Sequence, residues 1–566
     1  MDRFLSDPKK ELNIISFKAW FIKRPRFFLF SPLLQCYYLV VMTSQEIRKR
    51  FLDYFVRRDH LLIEQSSLVP EYDPTLLFTN SGMAPLKPYF LGVKPPPSER
   101  LVNIQRCLRT EDLDNIGDSS HHTFFQMLGS WSIGGYGKRE AVELAFGLLT
   151  SKEEGFGFKV EDLYATVFSG DKNLPADSET ANFWKEAGLP EKNIIERPFK
   201  DNFWVSGPTG PCGPCTEVLF DRGESLSCGE NCGPECECGR FLEIWNAGVF
   251  MQYNRKAEGV YDKLPFLSVD TGAGLERLAS VLQNKKSNYE TDQFFPIIKL
   301  LEVISTNKYE SPDIVRNLRI IADHLRASVF LAADGVTPSN TERGYVLRKL
   351  LRRAIESGLL LEINGYFVRS VAEKIIEMYR NDFPHLDASS DTVIRVLEDE
   401  EKIFALTLSR GKRYLESKAK KLDLKYSTMA VSMSGASQAA GEIAFTSFDE
   451  QGLPRSISEE FFKNYFKSEG AELKYIDFNL AYETRLKKQQ EQARLANKKE
   501  SYEPEKIKTA HTGAHLLNAA LRSVLGKDLH QPAKRFRQNQ SVTISTFPEN
   551  SRRANLRLLR ILLTKK

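Results

Sequence analysis

Cysteine is scarce and unevenly placed: eight residues in 566, none after Cys238, and six crowded between Cys212 and Cys238. So sparse a set cannot form a disulfide framework, and its clustering points to a metal or another local site in a reducing compartment. Long apolar runs are missing as well. The most apolar stretch, 27–41, covers about 15 residues and is broken by Pro32 and Gln35, whereas a bilayer span needs roughly 20. No small-residue cleavage site follows it, so no secretory signal is expected. Repeats at solenoid periods are absent. The excess of positive charge sits at the ends: residues 1–41 carry a net +4 and 532–566 a net +8, leaving −7 for 42–531 out of a total of +5. An acidic body has to bind any polyanion through local basic patches.

With 42% hydrophobic and 27% charged residues the chain is ordinary globular material, too long for one core, and three or four domains are expected. Thr43 with Glu46 three residues later makes a capping box, and Ile47, Phe51 and Phe55 fall on one face of the helix it opens. A helix that starts just after Met42 suggests Met42 as the natural start, with 1–41 a non-native extension. Residues 42–282 are rich in Phe, Gly and Pro, with short β-type runs at 123–128 and 265–269, which predicts an α+β domain with a mostly antiparallel sheet. Residues 283–467 carry 3.6-period stretches over 313–333, 344–358 and 389–424 and are expected to be mainly helical. A charged helical linker over 468–500 precedes a new domain that begins at 501–531. The basic tail 532–566 is expected to form no native structure, the competing reading being an amphipathic or nucleic-acid-binding arm.

Chemistry concentrates in the first region. Residues 105–111 and 121–127 read as a hairpin with a polar loop. Arg109 on it can fork two donors onto a phosphate or carboxylate, and Phe125 can stack on a base. An arginine in a strand is more often a surface residue than a ligand. Farther on, Asp270 leads through Gly272 and Gly274 into a helix with Arg277 in its first turn, a pattern that suits an anion.

The hairpin and the glycine–arginine helix resemble motifs 2 and 3 of class II aminoacyl-tRNA synthetases. The blocks SSLVP and DPTLLFTN in 66–80, HHTFF, DNFW, GPTGPCGPCTE, EIWN, SVDTGAGLER, ADGVTPSN and RGYVLRKLLRRA are similar to those of the alanyl-tRNA synthetase family, over 42–531. The resemblance implies a class II antiparallel sheet flanked by helices, then an all-helical tRNA-recognition domain and an incomplete α/β editing domain. It implies an alanine–tRNA ligase: alanine and ATP give alanyl-adenylate and pyrophosphate, and alanine passes to the 3′ end of tRNA(Ala), with Mg2+ assisting. Arg109, Asp270 and Arg277 would be catalytic. ATP would meet Arg109, His121, His122, Phe125, Gly272, Gly274 and Arg277, and alanine would meet Trp204, Asn246, Val249 and Asp270. Asn340, Arg348, Lys349, Arg352, Arg353 and Asp449 would face tRNA, although a basic helix flank read by itself is more often a solvated face. The alternative is a catalytically weak tRNA-binding remnant of the same family.

Three departures from the family pattern stand out. The loop 111–120 is short and lacks a lysine, Gln126 stands where an acidic residue is usual, and Ala247-Gly248 lengthens the segment after EIWN. Two metal candidates remain. Cys228, Cys232, Cys236 and Cys238, spaced C-x3-C-x3-C-x-C, suit structural Zn2+, the competing reading being unpaired thiols in an insertion. His511 and His515 resemble half of the family's editing-site zinc pair, and no cysteine follows to complete it, so editing is expected to be absent. A cytoplasmic, non-membrane, monomeric protein is expected.

Overall fold

The computed structural model describes residues 41–499 apart from 72–75, 112, 207–209 and 423–429. It divides between Glu398 and Asp399 into two compact units. Nearly all of the N-terminal extension, the start of the editing domain with His511 and His515, and the tail lie outside the described residues.

The first unit is built on nine strands: β1 (Leu61–Leu62), β2 (Arg100–Leu108), β3 (Phe124–Ile133), β4 (Leu163–Phe168), β5 (Ile194–Arg197), β6 (Phe203–Val205), β7 (Gly210–Asp221), β8 (Phe241–Ala257) and β9 (Val260–Gly274). They lie in the order β1-β2-β3-β9-β8-β7-β4-β5, with β6 added to β7. All pairings are antiparallel except β1 with β2 and β4 with β5. The expected hairpin is β2–β3, with Gln105 opposite Met127 and Cys107 opposite Phe125.

Helices α1 (Ser44–Val56), α2 (Lys87–Phe90), α3 (Lys138–Thr150), α4 (Ser178–Ala187), α5 (Phe199–Asn202) and α6 (Leu275–Leu282) accompany the sheet. Thr43 caps α1 by accepting the Glu46 backbone N–H at 3.2 Å. The Glu46 carboxylate turns to Arg50 at 2.7 Å, so only half of the capping box forms. Ile47, Phe51 and Phe55 are buried as expected. They share one core with Val102, Leu128, Leu148, Trp184, Trp245 and Leu278, which fastens α1, α3, α4 and α6 to one face of the sheet. Because side chains alternate along a strand, Trp131, Cys215, Val249 and Met251 meet in a smaller cluster with Leu86 and Phe90.

The helical part of the first unit comprises α7 (Phe295–Ser305), α8 (Pro312–Ala333), α9 (Glu342–Leu360), α10 (Val368–Tyr379) and α11 (Pro384–Ala388). These helices belong to the same unit as the sheet, because buried polar residues tie them to it. Arg326 is fully buried, paired with Glu276 of α6, and its guanidinium lies 4.4 Å from the Phe294 ring and 4.9 Å from that of Phe124. Asp323 accepts the Thr123 backbone N–H at 3.0 Å. Asp334, of the ADGVTPSN block, binds Arg106 at 2.9 Å and accepts from Ser67 Oγ at 2.9 Å and the Leu68 N–H at 2.6 Å. The second unit holds most of α12 (Ser390–Ala419), then α13 (Ala430–Gln451), α14 (Arg455–Ser468) and the charged α15 (Tyr475–Lys499). No helix of the described residues is long and apolar enough to cross a membrane.

Candidate active site

β3, β8 and β9 lie side by side and carry one wall of a cavity of about 390 Å³. Its lining includes Arg109, His121, His122, Phe125, Trp204, Asn246, Val249, Asp270, Gly272, Gly274 and Arg277. The residues expected to serve catalysis, ATP and alanine therefore converge on one hollow, although they span more than 160 positions of sequence.

The local folding explains the convergence. Arg109 follows β2 and is exposed, donating from Nε to the Asn80 carbonyl at 3.2 Å, with its guanidinium 4.9 Å above the Phe125 ring. Gly272 sits where an added Cβ would lie 2.8 Å from Met127 Sδ, so a side chain there would displace the Met127 thioether that packs against β9. Arg277, in the first turn of α6, donates to the Glu243 carboxylate at 2.7 Å and to its carbonyl at 3.1 Å.

The added Ala247-Gly248 has a specific structural role. Asn246 pairs with Gly272 and Val249 with Asp270, three residues of β8 against two of β9. The extra residue is a β-bulge. In a regular strand residues three apart point to opposite faces, but here Asn246 and Val249 both line the cavity.

Asp270 accepts the Trp131 indole N–H at 2.7 Å. Burial pushes its carboxyl up to about 7, which the Trp131 hydrogen bond only partly opposes. Burial and the negative charge of Glu243, which lines the cavity, push Glu217 up to about 8 against the pull of Arg277. Glu217 and Glu243 stand in the GPTGPCGPCTE and EIWN blocks, and no local pattern of the sequence shows that their charges meet across β7 and β8.

The two histidines differ. His121 sits at the rim with Nδ1 2.5 Å from Asp118, whose carboxyl burial would raise but which hydrogen bonds from the His121 and Ser120 backbone and the His121 ring hold below its usual range. His122 is buried, with Nε2 3.0 Å from the Asn288 amide and its ring stacked 4.7 Å from Phe294. Its Nδ1 lies 3.5 Å from Asp323. Burial by itself would raise the Asp323 carboxyl, but the imidazoles of His122 and His324 hold it well below the usual carboxylate range. Gln126 is buried, its amide donating to Gln293 at 3.1 Å and its backbone N–H to Glu276 at 3.1 Å. A neutral side chain there avoids a second carboxylate beside Glu276.

On α9 the apolar stripe Leu347, Leu350, Leu351, Ala354 and Ile355 is buried, while Arg348, Lys349, Arg352 and Arg353 are half-buried. Arg348 hydrogen-bonds the Asn340 side chain. Arg353 donates to the Leu113 carbonyl at 2.7 Å, in the loop between β2 and β3. Asp449 lies on α13 of the second unit and accepts from Gln489. Among the cysteines, Cys228, Cys232 and Cys238 bring their sulfurs within 4.8 Å of one another, while Cys212 and Cys215 are buried on β7. Cys236 is not in that group of three and accepts the Gly233 N–H at 3.4 Å.

Comparison with known proteins shows the family of the chain. Residues 46–532 match the family described as "tRNA synthetases class II (A)". The chain is 40% identical over 502 residues to "Alanine--tRNA ligase" of Borreliella afzelii, covering 87% of this chain and 80% of that protein. It is 38% identical over 500 residues to the protein of that name from Treponema pallidum, with the same coverage. With that of Desulfosudis oleivorans it shares 43% over 424 residues, 74% of this chain and 46% of the other. With a match of this extent and its motif residues gathered in one cavity, the chain belongs to the alanyl-tRNA synthetase family of class II aminoacyl-tRNA synthetases.

Proposed function

We propose that the chain is an ATP-dependent alanine–tRNA ligase that forms alanyl-adenylate and then transfers alanine to tRNA(Ala). The observation that carries this reading is the placement of Asp270, Arg109 and Arg277 around one cavity of about 390 Å³. The ionised Asp270 pairs with the α-ammonium group of alanine, and Trp204, Asn246 and Val249 close a space small enough to favour a methyl side chain. Arg109 holds the amino-acid carboxylate against the ATP α-phosphate, and Phe125 offers its ring to the adenine once Arg109 has moved onto the phosphate. Gly272 and Gly274 leave room for ATP beside β9. Arg277 exchanges Glu243 for the γ-phosphate, with His121 at the mouth beside the triphosphate and His122 as the packed support behind it.

A carboxylate oxygen attacks the α-phosphorus and pyrophosphate departs, so the protein's work is positioning and charge neutralisation rather than proton removal by a strong base. The carboxyl groups of Glu217 and Glu243 fit Mg2+, a hard cation that favours oxygen ligands; each stands in the field of the other, as the raised Glu217 carboxyl records. When bound, Mg2+ would neutralise phosphate charge. Arg348, Lys349 and Arg352 on α9, with Asn340, present cations and an amide to the acceptor stem, and Asp449 supplies a further tRNA contact. Arg353 acts through the Leu113 carbonyl. Free buried thiols suit a reducing compartment, and the cytoplasm fits.

Amino-acid-dependent ATP–pyrophosphate exchange on the full chain, comparing alanine, serine and glycine, tests the proposal. Exchange should be strongest with alanine and lost in Arg109→Ala. A folded protein that shows no exchange but still binds tRNA would overturn it in favour of a tRNA-binding remnant.

A further inference from the structure

The cysteines between β7 and β8 play no part in the reaction derived above. Residues 222–240 connect Asp221 to Phe241, which face each other across the hairpin. No large apolar side chain of this connection is buried among the described residues, and Leu226 is exposed. A connection of this length without an apolar core of its own has little to hold it in one shape.

Its base is nonetheless clamped. The Arg240 guanidinium binds Asp221 through two hydrogen bonds of 2.8 Å and Glu224 through one of 2.7 Å, and Arg197 donates to the Pro234 carbonyl at 2.5 Å. The far end holds the thiols. Cys232 and Cys238 have their sulfurs 3.6 Å apart, and Cys228 completes a group within 4.8 Å. That separation is far beyond the ~2.05 Å of a disulfide. It is close to the ~3.8 Å between thiolates placed tetrahedrally around zinc at ~2.3 Å. Cys236 follows in the same loop, and its sulfur accepts the Gly233 backbone N–H at 3.4 Å, the kind of outer hydrogen bond that favours a ligating thiolate.

We propose that Cys228, Cys232, Cys236 and Cys238 hold one structural Zn2+ that closes this hairpin connection. Glu243 lies two residues beyond the hairpin's Phe241 and receives Arg277 at 2.7 Å. The metal therefore holds in register the strand end on which Arg277 rests, without touching substrate.

The full chain, purified without chelator from zinc-containing medium, should carry about one zinc per chain by elemental analysis. Cys228→Ser/Cys238→Ser should lose it, while His511→Ala/His515→Ala should retain it. Cobalt replacement in the unmutated protein should give strong thiolate-to-metal charge-transfer absorption, a readout that does not depend on the cysteine variants folding. Stripping the metal should raise the KM for ATP several-fold, with recovery on adding zinc. Zinc retained in the double cysteine variant, or a cobalt spectrum without thiolate bands, would overturn the site. An unchanged KM for ATP in stripped protein would overturn its link to Glu243.

Discussion

Asp270 concentrates the electrostatics of the site, since its carboxyl is pushed up to about 7 by burial and has the Trp131 indole as its hydrogen-bond donor. Under the proposed function only the ionised form pairs with the alanine ammonium group, so alanine binding should be lost as pH falls through that value. The KM for alanine should rise about tenfold from pH 8 to pH 6, measured by pyrophosphate exchange. Asp270→Asn should abolish this dependence and lower kcat/KM for alanine by about 2–5 kcal/mol, on the order of 10²-fold or more. The stability effect has the opposite sign. A carboxyl whose folded pKa lies above its unfolded value loses stability as pH rises from the unfolded value to the folded one, and the loss is complete above the folded one, so Asp270→Asn should melt higher than the unmutated protein at pH 8, with the gap shrinking towards pH 5. Trp131→Phe keeps the ring and removes the donor. It should move the alanine pH profile upward by about one unit or less, from the loss of a hydrogen bond worth roughly 1 kcal/mol.

At the scale of elements, α8 and α9 are tied to α6, to the residue that precedes β3 and to the loop between β2 and β3. Arg326 on α8 pairs with Glu276 on α6 inside a cage of Phe124, Phe294 and Tyr379. Arg326→Met leaves Glu276 buried without its partner and should destabilise the protein by about 3–5 kcal/mol; Glu276→Gln/Arg326→Met should cost less than the two single changes summed, read by denaturant melts. Arg353 on α9 reaches the Leu113 carbonyl, so Arg353→Ala should weaken pyrophosphate exchange and aminoacylation together. Arg352→Ala should weaken aminoacylation while leaving exchange within about twofold. The hairpin and the G-x-G helix start could be read in sequence because each is a local pattern. The bulge at Ala247-Gly248 was visible only as two extra letters, and its effect of turning Asn246 and Val249 to the same face required the pairing with β9.

For the whole molecule, the proposed function predicts that salt acts differently on the two partial reactions. With the body of the chain acidic, the proposed function calls for tRNA to be held by local basic side chains such as those of α9, with alanine and ATP in the cavity. The KM for tRNA should climb steeply with salt while alanine-dependent exchange changes little. Arg348→Ala/Lys349→Ala/Arg352→Ala should flatten the logarithmic salt slope by about 2–3. Amino-acid order alone determined the chemistry-bearing blocks, the capped first helix and the helical stripe of α9, since each depends on neighbours within a few turns or one hairpin. It also placed Arg109, Asp270 and Arg277 in one site through family resemblance. Only the tertiary structure decided what surrounds them: the Glu217–Glu243 pair, the inward turn of His122 onto Asp323 and Asn288, the Arg326 cage, and the joining of α7–α11 to the sheet in one unit. Each of these arises where segments tens to hundreds of residues apart exclude water from a charged group, and no local periodicity encodes the partner that the buried charge then requires.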